Sequence, residues 1–266
     1  MRIMTIIESG NKKMKANELT TTVLLEGMTS ISALLNSSGI NDRPVFRIWI
    51  DNERSDKRAS FIRFLEAKKA EYGYEINYTD SKTIAERATG TTHGGILAEC
   101  GERTIPALTI DQIRKNRFYV YLEGMEDPYN FGSALRSLYA AGVCGIVLPE
   151  RNWMNAAGIV ARASAGASER LPLYHADPET AVSVFRCADY QILCAGIRDS
   201  VSIYDNQFSY PILLVVGGEK RGISRVFLEK ADKIVRIDYG SDFRGSLSSS
   251  SSAAVLAFEL YRQNRS

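Results

Sequence analysis

Along this chain, short apolar runs alternate with amphipathic stretches. Ordered structure is expected to begin at Leu24-Leu25-Glu26-Gly27, followed by a helix carrying Ile31, Leu34 and Leu35. Phe46-Arg47-Ile48-Trp49-Ile50 alternates and holds β-branched residues, which predicts a strand. From Asp56 onward Phe61, Phe64 and Leu65, with Ile62 on the flank, recur at helical spacing, and Tyr72-Gly73-Tyr74 closes that helix. A strand over Glu75–Tyr78 and a helix over Ser81–Ala88 follow, then the turn Thr91-Thr92-His93-Gly94-Gly95-Ile96. Between Gly101 and Asn116, Pro106 and polar residues interrupt the pattern and read as a linker. Further strands are expected at Phe118–Leu122, Gly145–Leu148, Gln191–Ala195, Ile212–Val216 and Ile234–Ile237. A helix over Phe131–Ala141 ends at Gly142, and a second, Ser252–Gln263, closes the chain with Val255, Leu256, Leu260 and Tyr261. Strand–helix alternation predicts an α/β fold. Short, continuously apolar strands suit a parallel sheet covered on both faces. No internal repeat is visible.

Composition narrows the class without naming it. The 266 residues are 45% hydrophobic and 24% charged, ordinary globular usage that excludes a disordered or fibrous chain. The longest apolar run, Ala253 to Phe258, is far too short for a membrane span. The start, MRIMTIIESGNKK, shows neither a long apolar segment nor a small-residue cleavage site, so a cytoplasmic protein is expected. Cys100, Cys144, Cys187 and Cys194 form no C-x-x-C pair, and only His93 and His175 could add imidazole. Buried thiols and no metal are therefore expected. Net charge is +2, and cutting after Lys115 leaves 17 basic and 15 acidic residues before the cut and 16 of each after it. Any nucleic-acid surface must come from local arrangement.

The usual nucleotide fingerprints are missing: no G-x-G-x-x-G stands between strand and helix, and no G-x-x-x-x-G-K-[ST] occurs. Three other segments each follow a predicted strand, where open α/β sheets bind ligands. Asp127-Pro128-Tyr129-Asn130-Phe131-Gly132 leads into Arg136 across a helix N-terminus. Val216-Gly217-Gly218-Glu219-Lys220-Arg221-Gly222 is a glycine-rich turn with one carboxylate. Ser246-Leu247 runs through Ser248–Ser252 into an apolar helix. Singly, these read as a solvated arginine, a turn carboxylate and a serine linker. Serines entering a helix, however, serve as N-caps and small packing residues.

In this order the three segments resemble the SpoU/TrmH-type RNA 2′-O-ribose methyltransferases of the SPOUT superfamily. Asn130-x-Gly132-x-x-x-Arg136 with Ala140-Ala141-Gly142 matches the first motif, Gly217-Gly218-Glu219-x-x-Gly222 the second, and Ile237 with Ser246-Leu247 the third. The resemblance covers about 117–266 closely. More loosely, Glu26-Gly27 and the turn at His93 resemble the family's ribosomal-protein-like substrate-binding domain. With the polar, weakly patterned start read as a lead-in over 1–22 and the break at Pro106 as a linker over 103–116, it implies an RNA-binding α/β domain over 23–102 and a methyltransferase domain over 117–266. It further implies a deep trefoil knot, S-adenosylmethionine as cofactor, a ribosomal or transfer RNA substrate (ribosomal preferred), and a homodimer joined through the C-terminal domain.

By the same resemblance Gly217, Gly218, Ile237, Ser246 and Leu247 form the cofactor pocket, while Asn130, Arg136, Glu219 and Ser248 carry the chemistry. A guanidinium offers only donors, so we read Arg136 as gripping a phosphate and stabilising charge on the ribose oxygen rather than taking its proton. Glu219 would hold Arg136 or a loop backbone, and Ser248 would reach the ribose or Arg136. Ser248 stands where the family has asparagine, and Asp238-Tyr239-Gly240-Ser241-Asp242-Phe243-Arg244 replaces its Pro-Met. His93 and the aromatics Trp49, Phe61, Tyr72, Tyr74 and Tyr78 could face RNA or pack inside. Two alternatives stand beside this reading: a non-catalytic RNA- or ribosome-binding protein that keeps the knot, and a small-molecule methyltransferase.

Overall fold

The computed structural model describes residues 22–150 and 156–265. Residues 1–21 of the expected lead-in, with Lys12, Lys13 and Lys15, lie outside the described residues. The first half runs β1 (Val23–Glu26), α1 (Gly27–Leu35), β2 (Val45–Asp51), α2 (Ala59–Tyr72), β3 (Glu75–Thr79), α3 (Ser81–Arg87) and β4 (Ile96–Cys100). These strands form a mixed sheet of order β1-β4-β2-β3. Ile31, Leu34 and Leu35 of α1 and Leu65 of α2 pack on Leu25, Ile48 and Ile50, as the helical spacing implied. Gly73 ends α2 because it adopts the left-handed φ of 73° that a C-terminal turn needs. Ile96–Cys100, unassigned from pattern, is the strand that joins this sheet, pairing antiparallel with both β1 and β2.

The second half runs β5 (Phe118–Glu123), α4 (Pro128–Ala140), β6 (Gly145–Leu148), α5 (Ala157–Ala163), α6 (Ala167–Arg170), β7 (Leu173–His175), α7 (Pro178–Cys187), β8 (Gln191–Ala195), β9 (Val201–Ser202), β10 (Ile212–Gly217), α8 (Arg225–Lys230), β11 (Lys233–Arg236) and α9 (Ser249–Asn264). The seven strands, ordered β7-β6-β5-β10-β8-β11-β9, are all parallel. Unbroken apolar strands follow directly from that architecture, since both faces are covered. Phe118, Val120 and Leu122 meet Phe131, Leu135 and Leu138 of α4 and Leu256 and Leu260 of α9. On the other face Tyr119 and Tyr121 meet Phe185 of α7 and Phe227 of α8. The closing helix starts at Ser249 rather than Ser252, so the serine run forms its first turn.

The stretch expected to be a linker is pinned down. Leu108 N–H donates to the His175 carbonyl at 2.9 Å, and His175 N–H donates to Pro106 at 2.9 Å. Arg103 is buried and donates to the carbonyls of Ser168 (2.6 Å) and Leu171 (2.7 Å). Beside it, Arg43 and Glu169 form an ion pair at 3.0 Å with side chains only 4% and 3% exposed. Glu26, also buried, accepts from Arg162 at 2.6 Å and from the Gly90 amide at 3.1 Å. These contacts join β1, the connection between α1 and β2, and the 101–116 stretch to α5, α6 and the residues that follow α6.

The cysteines depart from the expectation of four buried thiols. Cys100 and Cys194 are buried, and burial pushes each thiol up to about 12. Cys144 is half-buried and Cys187 is exposed at the end of α7. His93 caps its own turn, its Nδ1 accepting from the Gly95 amide at 3.1 Å. Tyr74 is core, Tyr78 is exposed, and Trp49 lies 4.1 Å beneath the Arg87 guanidinium.

Candidate active site

The site grows from loops at the carboxyl ends of β5, β8, β10 and β11. After β5, the Asp127 carboxylate accepts from the Asn130 amide at 2.7 Å, and Pro128 opens α4 where its missing N–H costs nothing. This cap sets Asn130 in the first turn, where its Nδ2 donates to Glu219 Oε1 at a long 3.4 Å. Lys220 pairs with Glu126 at 2.9 Å across the same two loops. From below, Ser249 Oγ donates to the Gly217 carbonyl at 2.7 Å, tying the start of α9 to the turn after β10.

Two cavities open between these loops. The larger, about 580 Å³, is lined by Gly196, Ile197, Val216–Glu219, Gly222, Ile237–Tyr239 and Phe243–Leu247. The smaller, about 140 Å³, lies between Gly124–Asp127, Asn130, Glu219, Lys220 and Ser249. Glu219 and Ser249 line both, so the two spaces share this pair as a wall. The larger volume falls in the range of small-molecule sites, and its wall is mostly apolar with polar backbone, as an adenosyl ligand needs. Backbone crowding makes glycine obligatory in the turn: a β-carbon at Gly217 would collide with Gly222, and one at Gly218 with the Gly124 carbonyl. Gly218→Ala is therefore expected to cost about 1–3 kcal/mol in a urea titration. Gly240→Ala, with nothing within 4 Å, should stay within about 0.5 kcal/mol.

The structure brings Gly217, Gly218, Glu219, Ile237, Ser246 and Leu247 to one cleft and sets Asn130 in the smaller cavity that shares Glu219 with it. Two residues stand apart. Arg136 is exposed on the outer face of α4, lines neither cavity, and has no hydrogen-bond or ion-pair partner among the described residues. Glu219 accordingly holds Asn130, not Arg136. Ser248 also lines neither cavity. Its hydroxyl is used as the N-cap of α9, accepting from Ser251 N at 3.2 Å and bonding to Ser250 and Ser251 hydroxyls at 3.0 and 2.9 Å. Sequence reasoning missed Ser249, whose only signal was its place inside the serine run, and Asp238. The Ser202 hydroxyl and then the Arg236 guanidinium hold the Asp238 carboxyl below the usual carboxylate range. Among the described residues no cluster of histidine, cysteine, aspartate or glutamate could hold a metal ion, and no helix is long and apolar enough to cross a membrane.

A parallel sheet with a glycine-walled cleft at its carboxyl edge, entered by one amide and one carboxylate, defines a ligand-binding α/β enzyme. The model of the SpoU rRNA methylase family matches residues 117–258, and the chain belongs to that family. It is an S-adenosylmethionine-dependent RNA 2′-O-methyltransferase of the SpoU/TrmH type. Among curated relatives, it is 29% identical to the 23S rRNA (guanosine-2′-O-)-methyltransferase RlmB of Shewanella oneidensis, over 91% of this chain and 98% of that protein. It is 26% identical to the 23S rRNA (guanosine-2′-O-)-methyltransferase RlmB of Pasteurella multocida, over 89% of this chain and 96% of that protein. In fold it resembles an rRNA methyltransferase from Sinorhizobium meliloti (TM-score 0.72, 22% identity, 93% of this chain and 89% of that one). It also resembles the SpoU methyltransferase AviRb from Streptomyces viridochromogenes, solved with its cofactor (TM-score 0.71, 20% identity, 92% of each chain).

Proposed function

We propose that this enzyme methylates the ribose 2′-hydroxyl of a guanosine in large-subunit ribosomal RNA, as a cytoplasmic homodimer. The observation that carries the reading is that the two cavities share Glu219 in their walls, with Asn130 held against it at 3.4 Å. The backbone of Gly217, Gly218, Ile237 and Leu247 and the side of Ser246 would hold S-adenosylmethionine, whose sulfonium supplies a methyl group already activated for transfer. Asn130, positioned by Asp127 and Glu219, orients the ribose from the smaller cavity. Such alignment at near-attack distance contributes on the order of 7–11 kcal/mol.

Arg136 belongs to this chemistry through a second subunit. Its helix face also carries Tyr129, and the exposed Tyr139, Phe258 and Tyr261 lie nearby on α4 and on α9, which packs against it. That exposed aromatic surface supports pairing of two α4–α9 faces. Across it the partner subunit's Arg136 grips the phosphate beside the target and stabilises negative charge developing on the 2′-oxygen, while the proton leaves to phosphate or water. Residues 23–102, clamped to α5 and α6, present the RNA to the site. The insertion of β10 between β5 and β8, with Ser249 tied to Gly217, supports the knotted crossing expected of the C-terminal segment.

Ribose-methylation maps of total RNA from cells with and without the gene test the reading. One 2′-O-methylguanosine in 23S rRNA should disappear and return with the wild-type gene. Unchanged ribosomal maps alongside a lost transfer-RNA methyl would move the substrate to transfer RNA.

A further inference from the structure

The loop after β11 is built unlike the other walls of the cleft. Residues 240–246 are all exposed, yet the loop has its own internal fastening. The Leu247 N–H donates to the Tyr239 hydroxyl at 3.2 Å, linking the two ends of the loop. The rings of Tyr239 and Phe243 lie 5.8 Å apart, and Phe243 packs over Gly245, occupying the place a β-carbon there would take. Phe243 remains 55% exposed. Tyr239, Phe243, Arg244 and Gly245 all line the larger cavity, together with the Gly217–Glu219 turn and the exposed Ile197.

An exposed seven-residue loop ordered by one hydrogen bond and one ring contact would otherwise sample many shapes. We propose that Tyr239 is a cofactor-positioning residue: its hydroxyl clasps the loop at Leu247 and so holds Phe243 as an apolar wall across the cleft mouth. The wall covers the adenosyl ligand and slows its escape. The inference rests on the cofactor reading of this cleft. The clasp acts through the loop and touches no reacting atom, so its effect falls on cofactor retention.

Calorimetry and stopped-flow dissociation with S-adenosylhomocysteine, on the full chain, test this. Tyr239→Phe removes one hydrogen bond and is expected to raise Kd about two- to tenfold, chiefly through faster dissociation. The KM for S-adenosylmethionine should rise by a similar factor with far less change in kcat, and RNA affinity should hold. Phe243→Ala should act alike, and the double variant should be no weaker than the worse single one, because both act through one loop. A Tyr239→Phe Kd indistinguishable from wild type overturns the clasp while leaving the cofactor reading intact. So does tighter binding, which would make the hydroxyl a competitor for the Leu247 amide. Wild-type protein that binds no S-adenosylhomocysteine overturns the cofactor reading itself, and the clasp with it.

Discussion

Arg136→Ala is expected to lower kcat by about 10²–10³-fold, the cost of removing one donor from developing negative charge, with S-adenosylhomocysteine affinity unchanged. Arg136→Lys should recover little, since an ammonium cannot reproduce the planar fork that spans phosphate and ribose oxygens. The position of this arginine makes a sharper test available. Within one chain it lines neither cavity, whereas Asn130 lines the smaller one and bonds to Glu219, which lines both. If the partner subunit supplies it, an Arg136→Ala chain paired with a Glu219→Ala chain has one intact site and one doubly damaged site. Random mixing of the two inactive proteins should then restore roughly a quarter of wild-type activity, because about half the dimers are mixed and each has one working site. No recovery on mixing, with dimers confirmed by mass, would place Arg136 in the site of its own chain.

Glu169→Gln should be the most destabilising single change in the contact between the two sheets' layers. Glu169 sits with Arg43 at 3.0 Å and Asn41 at 2.5 Å, and buried Arg103 lies beside them. Removing one member of a buried ion pair strands the other, at a cost of about 3–5 kcal/mol, or roughly 6–20 °C in melting temperature for a chain of this size. Burial pushes the Glu169 carboxyl up, but the charges of Arg43 and Arg103 and the bonds from Arg43 and Asn41 pull harder, and the net direction is down from 4.5. A lowered folded-state value stabilises fully above the unfolded value and is lost as pH falls through the folded one. Wild type and Glu169→Gln should therefore differ most above pH 4.5 and converge below it. Urea titrations at pH 7, 5 and 3.5 measure this directly. A gap that does not narrow in acid would mean that the pair's charge is not what holds the contact.

Most helices and strands were legible because their physics is local. Phe118–Leu122 and Ile212–Val216 are apolar throughout, and only a strand buried on both faces needs that. Gly73 marks the end of α2 because the left-handed turn there suits glycine. β4 was not legible: Ile-Leu-Ala-Glu-Cys is too short and too mixed to separate strand from loop until its partners β1 and β2 are known. The tethering of the 101–116 stretch was not legible for a related reason, since Arg103 and Pro106 look like surface and breaker. Their bonds go to residues some 65 positions away.

By itself the sequence determined the α/β class, the three motif-bearing loops and the family they resemble, because periodicity and short-range spacing survive without coordinates. It also supplied Asn130, Glu219 and the glycines that no side chain can replace. Only the tertiary structure decided which of these meet. It joined Asn130 to Glu219, brought Ser249 to both cavities, and left Arg136 facing outward. Those outcomes depend on how β10 enters between β5 and β8 and how α9 packs on α4. The β5–β10 pairs link residues 94 positions apart and the Asn130–Glu219 bond residues 89 apart, and nothing local in the chain encodes their direction.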